Sequence, residues 1–224
     1  MTATMDAAAA TDATSLRVLF SGRRGRLLLA LLFAEFGAAV QGIAYSSVLP
    51  IASDALAGTN LYGATLAAGS FSTILVLAVG PGPFARLRPA ALLAAATVLY
   101  VIGTALSVGA TAMAMTLVGT MVGGIAGGML AGFGLAALGG LFDDDVRVRV
   151  YGLFGLVWLL PSLAGPAVNA AITVAFSWRA ALAWAAVLVV TARLLIRRDI
   201  DLVPWKRSTA ARPSPAWTAT LLAG

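Results

Sequence analysis

Six apolar runs, each roughly the 20 residues a helix needs to cross a bilayer, divide the sequence, and nearly all of its Lys and Arg residues fall on one side of that pattern. Apolar residues make up 60% of the chain and charged residues 11%, against about 25% charged in an ordinary soluble domain. Arg and Lys are held back in cytoplasmic loops, so their distribution sets an orientation. Fourteen of the fifteen basic residues lie on the side that also holds both chain ends, and only Arg179 lies on the other. The expected fold is an all-α integral membrane bundle of six transmembrane helices with the N and C termini in the cytoplasm.

Three regions follow. Residues 1–26 read as a cytoplasmic tail. Its first fifteen residues are small and polar, with no signal-peptide pattern. Arg17, Arg23, Arg24 and Arg26 then form a basic anchor suited to anionic lipid headgroups. Residues 27–198 hold the spans, expected at about Leu27–Leu49 (ending at Pro50), Leu61–Val79, Ala90–Val108, Thr111–Leu138, Tyr151–Ala175 and Ala180–Ile196. Arg86 and Arg88 mark one cytoplasmic loop; Arg147 and Arg149, behind Asp143, Asp144 and Asp145, mark another. Trp178 suits the headgroup level at the outer end, and Arg193, near the end of the sixth span, can snorkel to the surface. Residues 199–224 read as a cytoplasmic linker, whose closing AWTATLLAG is either a short tail or the opening of a seventh span.

Composition removes several function classes. The net charge of +6 is spread over short loops and makes no continuous patch, so nucleic acid is not an expected partner. With no Cys and no His, disulfides and Cys- or His-based metal sites and catalysis are excluded. The three consecutive Asp residues sit beside Arg147 and read as a charge-paired loop, not a metal site. No cofactor is expected, and no nucleophile–base set points to an enzyme.

Glu35 is the acidic residue inside the expected spans, and an ionisable group in a bilayer faces the bundle interior or a water-filled cavity. Ala38, Ala39, Gly42 and Ser46 follow it at helical spacing, whereas Leu32, Phe36, Val40 and Ile43 form the opposite side, suited to lipid or to packing. Burial would raise the affinity of Glu35 for a proton, which makes it a candidate proton carrier; the alternative is a structural hydrogen bond to a neighbouring helix. Gln41 and Tyr45 lie one turn apart and can bond a substrate or join helices. In the fourth span, Gly119, Gly123 and Gly127 and the overlapping Gly124, Gly128 and Gly132 recur every four residues, a pattern for close helix approach. The fifth span carries Pro161, Ser162, Gly165, Pro166, Asn169 and Thr173. Two prolines there favour a kink, with Ser162, Pro166, Asn169 and Thr173 on one stripe facing a cavity.

Together these features resemble the amino-terminal half of a major facilitator superfamily transporter, nearest to its drug:proton antiporter branches, over roughly Leu27 to Arg198. FDDDVRVRVYG is similar to the loop after that family's fourth span, with Arg147, Arg149 and Gly152 in place. Gly165-Pro166 resembles the Gly-Pro of its fifth-span antiporter motif, Trp178-Arg179 the pair that opens the sixth span, and Leu49-Pro50 the end of the first. The pattern departs from the family's elsewhere. GPFARLRPA keeps Gly82, Arg86 and Arg88 but has no acid, Thr120 stands where a fourth-span Arg is usual, and Pro161 and Asn169-Ala170 replace motif glycines.

The resemblance implies proton-coupled efflux of small lipophilic compounds across the cell membrane. Protons and a small-molecule substrate would be the partners, with either a missing carboxy-terminal half or a second copy completing the cavity. Glu35 would hold the proton, Gln41, Tyr45 and Asn169 would line the cavity, and Pro161, Gly165 and Pro166 would form the hinge. The alternative is a half-size or degenerate transporter acting as a homo-oligomeric or scaffold membrane protein.

Overall fold

The computed structural model describes residues 19–80, 87–142 and 144–203, with the backbone alone at 144 and 145. Arg17, Gly82, Arg86 and the AWTATLLAG segment lie outside the described residues. Among the described residues every regular element is helical, and six helices are long and apolar enough to cross a membrane. They are α1 (Gly22–Ala55), α2 (Tyr62–Val79), α3 (Pro89–Val108), α4 (Met113–Leu141), α5 (Asp144–Ala175) and α6 (Trp178–Arg198). Short 3-10 turns at Thr59–Leu61 and Ile200–Leu202 precede α2 and follow α6. The chain is a multi-pass membrane protein.

The helix ends have local causes. Gly80 stops α2 with φ of +70°, a conformation that costs glycine little. Pro89 opens α3 at a position where no backbone donor is needed. At the start of α6 the Ser177 hydroxyl accepts the backbone N–H of Ala180 at 3.1 Å.

Two helices overrun the spans expected from sequence. α1 starts at Gly22, so Arg23, Arg24 and Arg26 are helical, and it passes Pro50 to end at Ala55. A proline removes one backbone bond, but the residues beyond still have surfaces to bury: Ala52 is fully buried and Ser53 nearly so. Likewise α5 starts at Asp144, so Arg147 and Arg149 lie in its first turns, not in a loop. Acidic residues at a helix N-terminus match its positive end, and Val150 in the second turn is fully buried.

The helices pack by a simple scheme. α1 lies against α5 and α6, α4 lies against α2 and α3, and α3 touches α6. Exchanging the first three helices with the last three leaves these main pairings unchanged. Along α1 and α5 the contacts run in the same order: Glu35 with Trp158, Ile43 with Gly165, Ser47 with Asn169. Along α4 and α2 they do so as well: Thr120 with Thr65, Gly124 with Gly69, Gly128 with Thr73. Both pairs are therefore parallel.

Two apolar clusters hold the ends. At one end Leu27, Leu28 and Leu31 meet Leu92 and Leu93, Phe133 and Leu138, Val150 and Ile196, so five helices converge. At the other, Val40, Ala44, Val48 and Ala52 of α1 meet Trp178, Ala181, Leu182 and Ala185 of α6. Trp178, at the start of α6, is buried in the bundle, 7% exposed. It fills the space beside the small Ala residues of α1 and α6, and the Arg179 guanidinium lies over its ring at 4.2 Å.

The glycines of α4 serve two neighbours. A Cβ on Gly119 would strike Ser107 and the Gly103 carbonyl of α3; one on Gly124 would strike the Gly69 carbonyl of α2. Backbones approach closely only where side chains are absent. Thr73 of α2 uses that approach, its hydroxyl donating to the Gly124 carbonyl at 2.9 Å.

Candidate functional site

Glu35 sits half-buried on α1, and its carboxylate accepts the indole N–H of Trp158 on α5 at 2.8 Å. Above it Ala38, Gly42, Ser46 and Pro50 form a stripe at four-residue spacing, and all four are exposed. The space beside Gly42 is open. Ala39, placed by spacing on the same face, is instead fully buried. The opposite side of α1 packs: Val40 is buried, Phe36 packs against the α1–α6 cluster, and Ile43 covers Gly165. The exposed parts of the other helices differ in kind, carrying Phe71, Ile74 and Leu75 on α2, Val101 and Ile102 on α3, and Leu159, Leu160 and Leu163 on α5. Large apolar side chains suit lipid tails, whereas the α1 stripe is small and partly polar.

Gln41 and Tyr45 point toward α3. The Gln41 amide oxygen accepts the Tyr100 hydroxyl, and the Tyr45 hydroxyl lies beside Ser107. The Tyr100 ring in turn carries the Arg193 guanidinium 4.4 Å from its centre, and Arg193 Nη1 donates to the Ala96 carbonyl at 3.2 Å. Arg193 is 3% exposed, so it does not snorkel to the surface. The cause is its register: Leu182, Ala185, Val189, Arg193 and Ile196 form the buried stripe of α6. A desolvated cation over a ring is worth about 2 kcal/mol, and the carbonyl takes one of its donors. The sequence pointed Arg193 outward because the ring that receives it belongs to another helix.

Asn169 is 1% exposed and uses both ends of its amide. Its Nδ2 donates to Ser47 Oγ of α1 at 3.1 Å, and its Oδ1 accepts the Trp184 indole N–H of α6 at 3.0 Å. It joins three helices. Pro161 and Gly165 share its buried stripe, with Gly165 directly under Ile43. Ser162 and Pro166, expected on that stripe, face outward, because Pro161, Gly165 and Asn169 take the α1-facing positions at four-residue spacing. The helix is continuous through both prolines, and the Ser162 hydroxyl bonds back to the Trp158 carbonyl at 2.7 Å.

The basic residues do several jobs. Arg147 donates to the Gly139 and Phe142 carbonyls at 3.0 and 3.1 Å, closing the end of α4. Arg179 does the same for the α3–α4 turn, donating to Val108 and Ala110 at 3.0 and 2.8 Å. Arg88 and Arg149 are exposed. Arg23 bonds Asp199 and Asp201 at 2.9 Å, and Arg26 reaches Asp199 at 3.4 Å, which clasps the start of α1 to the end of α6. Hydrogen bonds from Arg23, then Arg26, hold the Asp199 carboxyl below the usual carboxylate range.

Glu35 and Asn169 therefore sit at two ends of one α1–α5 seam, while Gln41 and Tyr45 turn to α3. Trp158, Tyr100 and Trp184, the partners of these groups, carry no sequence signal beyond an aromatic in a span. Among the described residues no group of three or more His, Cys, Asp or Glu could hold a metal. The chain matches no family model and no curated protein.

Proposed function

We propose that the chain is the amino-terminal half of a proton-coupled efflux transporter for small lipophilic compounds, working in the cell membrane with both ends cytoplasmic. The observation that carries this reading is Glu35: an ionisable carboxylate half-buried in an apolar helix, at the foot of the uncovered small-residue stripe Ala38, Gly42 and Ser46. An ionisable group is costly in a bilayer and is retained for a function. The interchangeable packing of the first and last three helices supports it, since inverted three-helix repeats build transporter halves. Glu35 takes and releases the proton, and the stripe lines the path shared with the other half. Gln41, Tyr45 and Asn169 hold the helices that shape that path. In vesicles holding the full transporter, Glu35→Gln should abolish efflux driven by a pH gradient while leaving the folded yield unchanged. Efflux that persists at the wild-type rate overturns the proton role.

The same stripe favours a second reading, a half-size protein that completes itself with a second copy. A homodimer in mild detergent, lost on Gly42→Leu, would select it over the first.

A further inference from the structure

Three contacts hold α5 to α1 in order: Trp158 on Glu35, Gly165 under Ile43, and Asn169 on Ser47. They differ in chemistry. The Asn169 joint is neutral and buried, and Trp184 of α6 holds its other side. Trp158 is 41% exposed, and its single N–H donor goes to a carboxylate. Between them lie Pro161 and Pro166, which cannot donate to the carbonyls of Val157 and Ser162. A helix bends most easily where such bonds are missing. The seam thus has one end built on an ionisable side chain, one end built on neutral ones, and a soft segment between.

We infer that Trp158 is a positioning residue that passes the protonation state of Glu35 to α5. Ionised Glu35 holds the Trp158 end of α5 against α1. Protonated Glu35 releases it, and that part of α5 swings about the Pro161–Pro166 segment, drawing Val150 from the apolar cluster at its foot and Arg147 from the Gly139 and Phe142 carbonyls, while the Asn169 joint stays closed. The inference rests on the proton-carrier reading of Glu35. A hydrogen bond to an ionised acceptor is roughly twice as strong as a neutral one, so the proton weakens this contact and leaves the Asn169 joint untouched. The proton arrives on a Glu35 oxygen and leaves from it, and no covalent bond of Trp158 changes.

Few other ionisable groups face this contact. α5 carries Tyr151 and Arg149 below Trp158. On α1, Arg26 is tied to Asp199 and Tyr45 lies beside Ser107. α6 turns Arg193 away, onto Tyr100 of α3. α2 has only Tyr62, at its start, and α4 has none from Met113 to Leu141.

The absence of native Cys allows a direct test on the full chain in lipid nanodiscs. One pair of spin labels, at Leu29→Cys and Val148→Cys, reports the Trp158 end; a second, at Ile51→Cys and Val174→Cys, reports the Asn169 end. All four positions are exposed. Distances are measured between about pH 9 and about pH 4, a window that spans ordinary and raised carboxylate values. Val148 lies roughly 20 Å along the helix below Pro161 at 1.5 Å per residue, so a change of about 20° moves it about 7 Å.

The first pair should lengthen by about that amount on acidification, with the second pair still. Trp158→Phe and Glu35→Gln should show the long distance at both ends of the pH range. A first pair that ignores pH, or a Trp158→Phe protein that keeps the short distance at high pH, overturns the inference. Failure of the proton-carrier reading shows separately, as pH-driven efflux that survives Glu35→Gln.

Discussion

The seams α1–α5 and α4–α2 occupy equivalent places in the bundle, yet they are built from opposite materials. The α4–α2 seam is backbone on backbone: Gly124 against Gly69, Gly128 against Thr73, with hydroxyls of Thr73 and Thr120 bonded to carbonyls across it. Neither helix carries an acidic or basic side chain or a proline. The α1–α5 seam is side chain on side chain, with a carboxylate, two prolines and one glycine contact against a movable Ile43. One packing plan therefore supports a rigid joint and an adjustable one. The rigidity comes from the absence of side chains, because a carbonyl cannot step aside as a rotamer can.

The sharpest way to break this comparison is one substitution made twice. Gly124→Ala drives a Cβ into the Gly69 carbonyl, and forcing an extra methyl into a packed joint costs about 1–3 kcal/mol, here at the upper end. Gly165→Ala meets one side chain, Ile43, at Cγ2 (2.6 Å) and Cβ (3.3 Å), with no backbone atom in the way, so its cost should fall at the lower end of that range. Thermal midpoints of the two variants in one detergent decide the matter, and equal losses would erase the distinction. Next in size, Asn169→Ala strips a partner from Ser47 and from Trp184 at once. A buried polar group left unpaired costs about 1–3 kcal/mol; denaturant unfolding should show a loss near the middle of that range. A variant as stable as wild type would remove the fixed end from the adjustable seam.

The smallest effect concerns the clasp that holds α1 to α6. Asp199 has its carboxyl held low by Arg23 and Arg26, so its contribution is full above the unfolded value near 3.9 and is lost as pH falls through the lower folded value. The thermal midpoint should be flat at neutral pH and drop at acidic pH below about 4, and that drop should be shallower in Asp199→Asn. The loss at neutral pH should be slight, because both Arg partners are largely solvent-exposed and such pairs contribute little. A midpoint that rises on acidification would reverse the sign.

How much of this was legible in the sequence follows from what a single helix can reveal. The six spans were, because apolar length alone specifies them. Their ends were not, at Pro50 and at Asp144, because burial of Ala52 and Val150 against other helices carries α1 and α5 onward. Glu35, Gln41 and Asn169 stand out as polar groups in apolar runs. Their partners Trp158, Tyr100 and Trp184 do not, since spacing fixes register within a helix and says nothing of register between helices. Arg193 shows the limit most plainly: the sequence suggested that it reaches the surface, whereas the structure buries it on the α6 stripe over the Tyr100 ring.

Arg179 stands alone among the described basic residues at the end opposite Arg23 and Arg26, and it closes the carbonyls of Val108 and Ala110. In the order of synthesis those carbonyls emerge long before it does. Until the α5–α6 hairpin is in place, the turn after α3 lacks this cap. The cap for the α3–α4 turn is thus carried by α6, so that turn is closed only once α6 has joined the bundle.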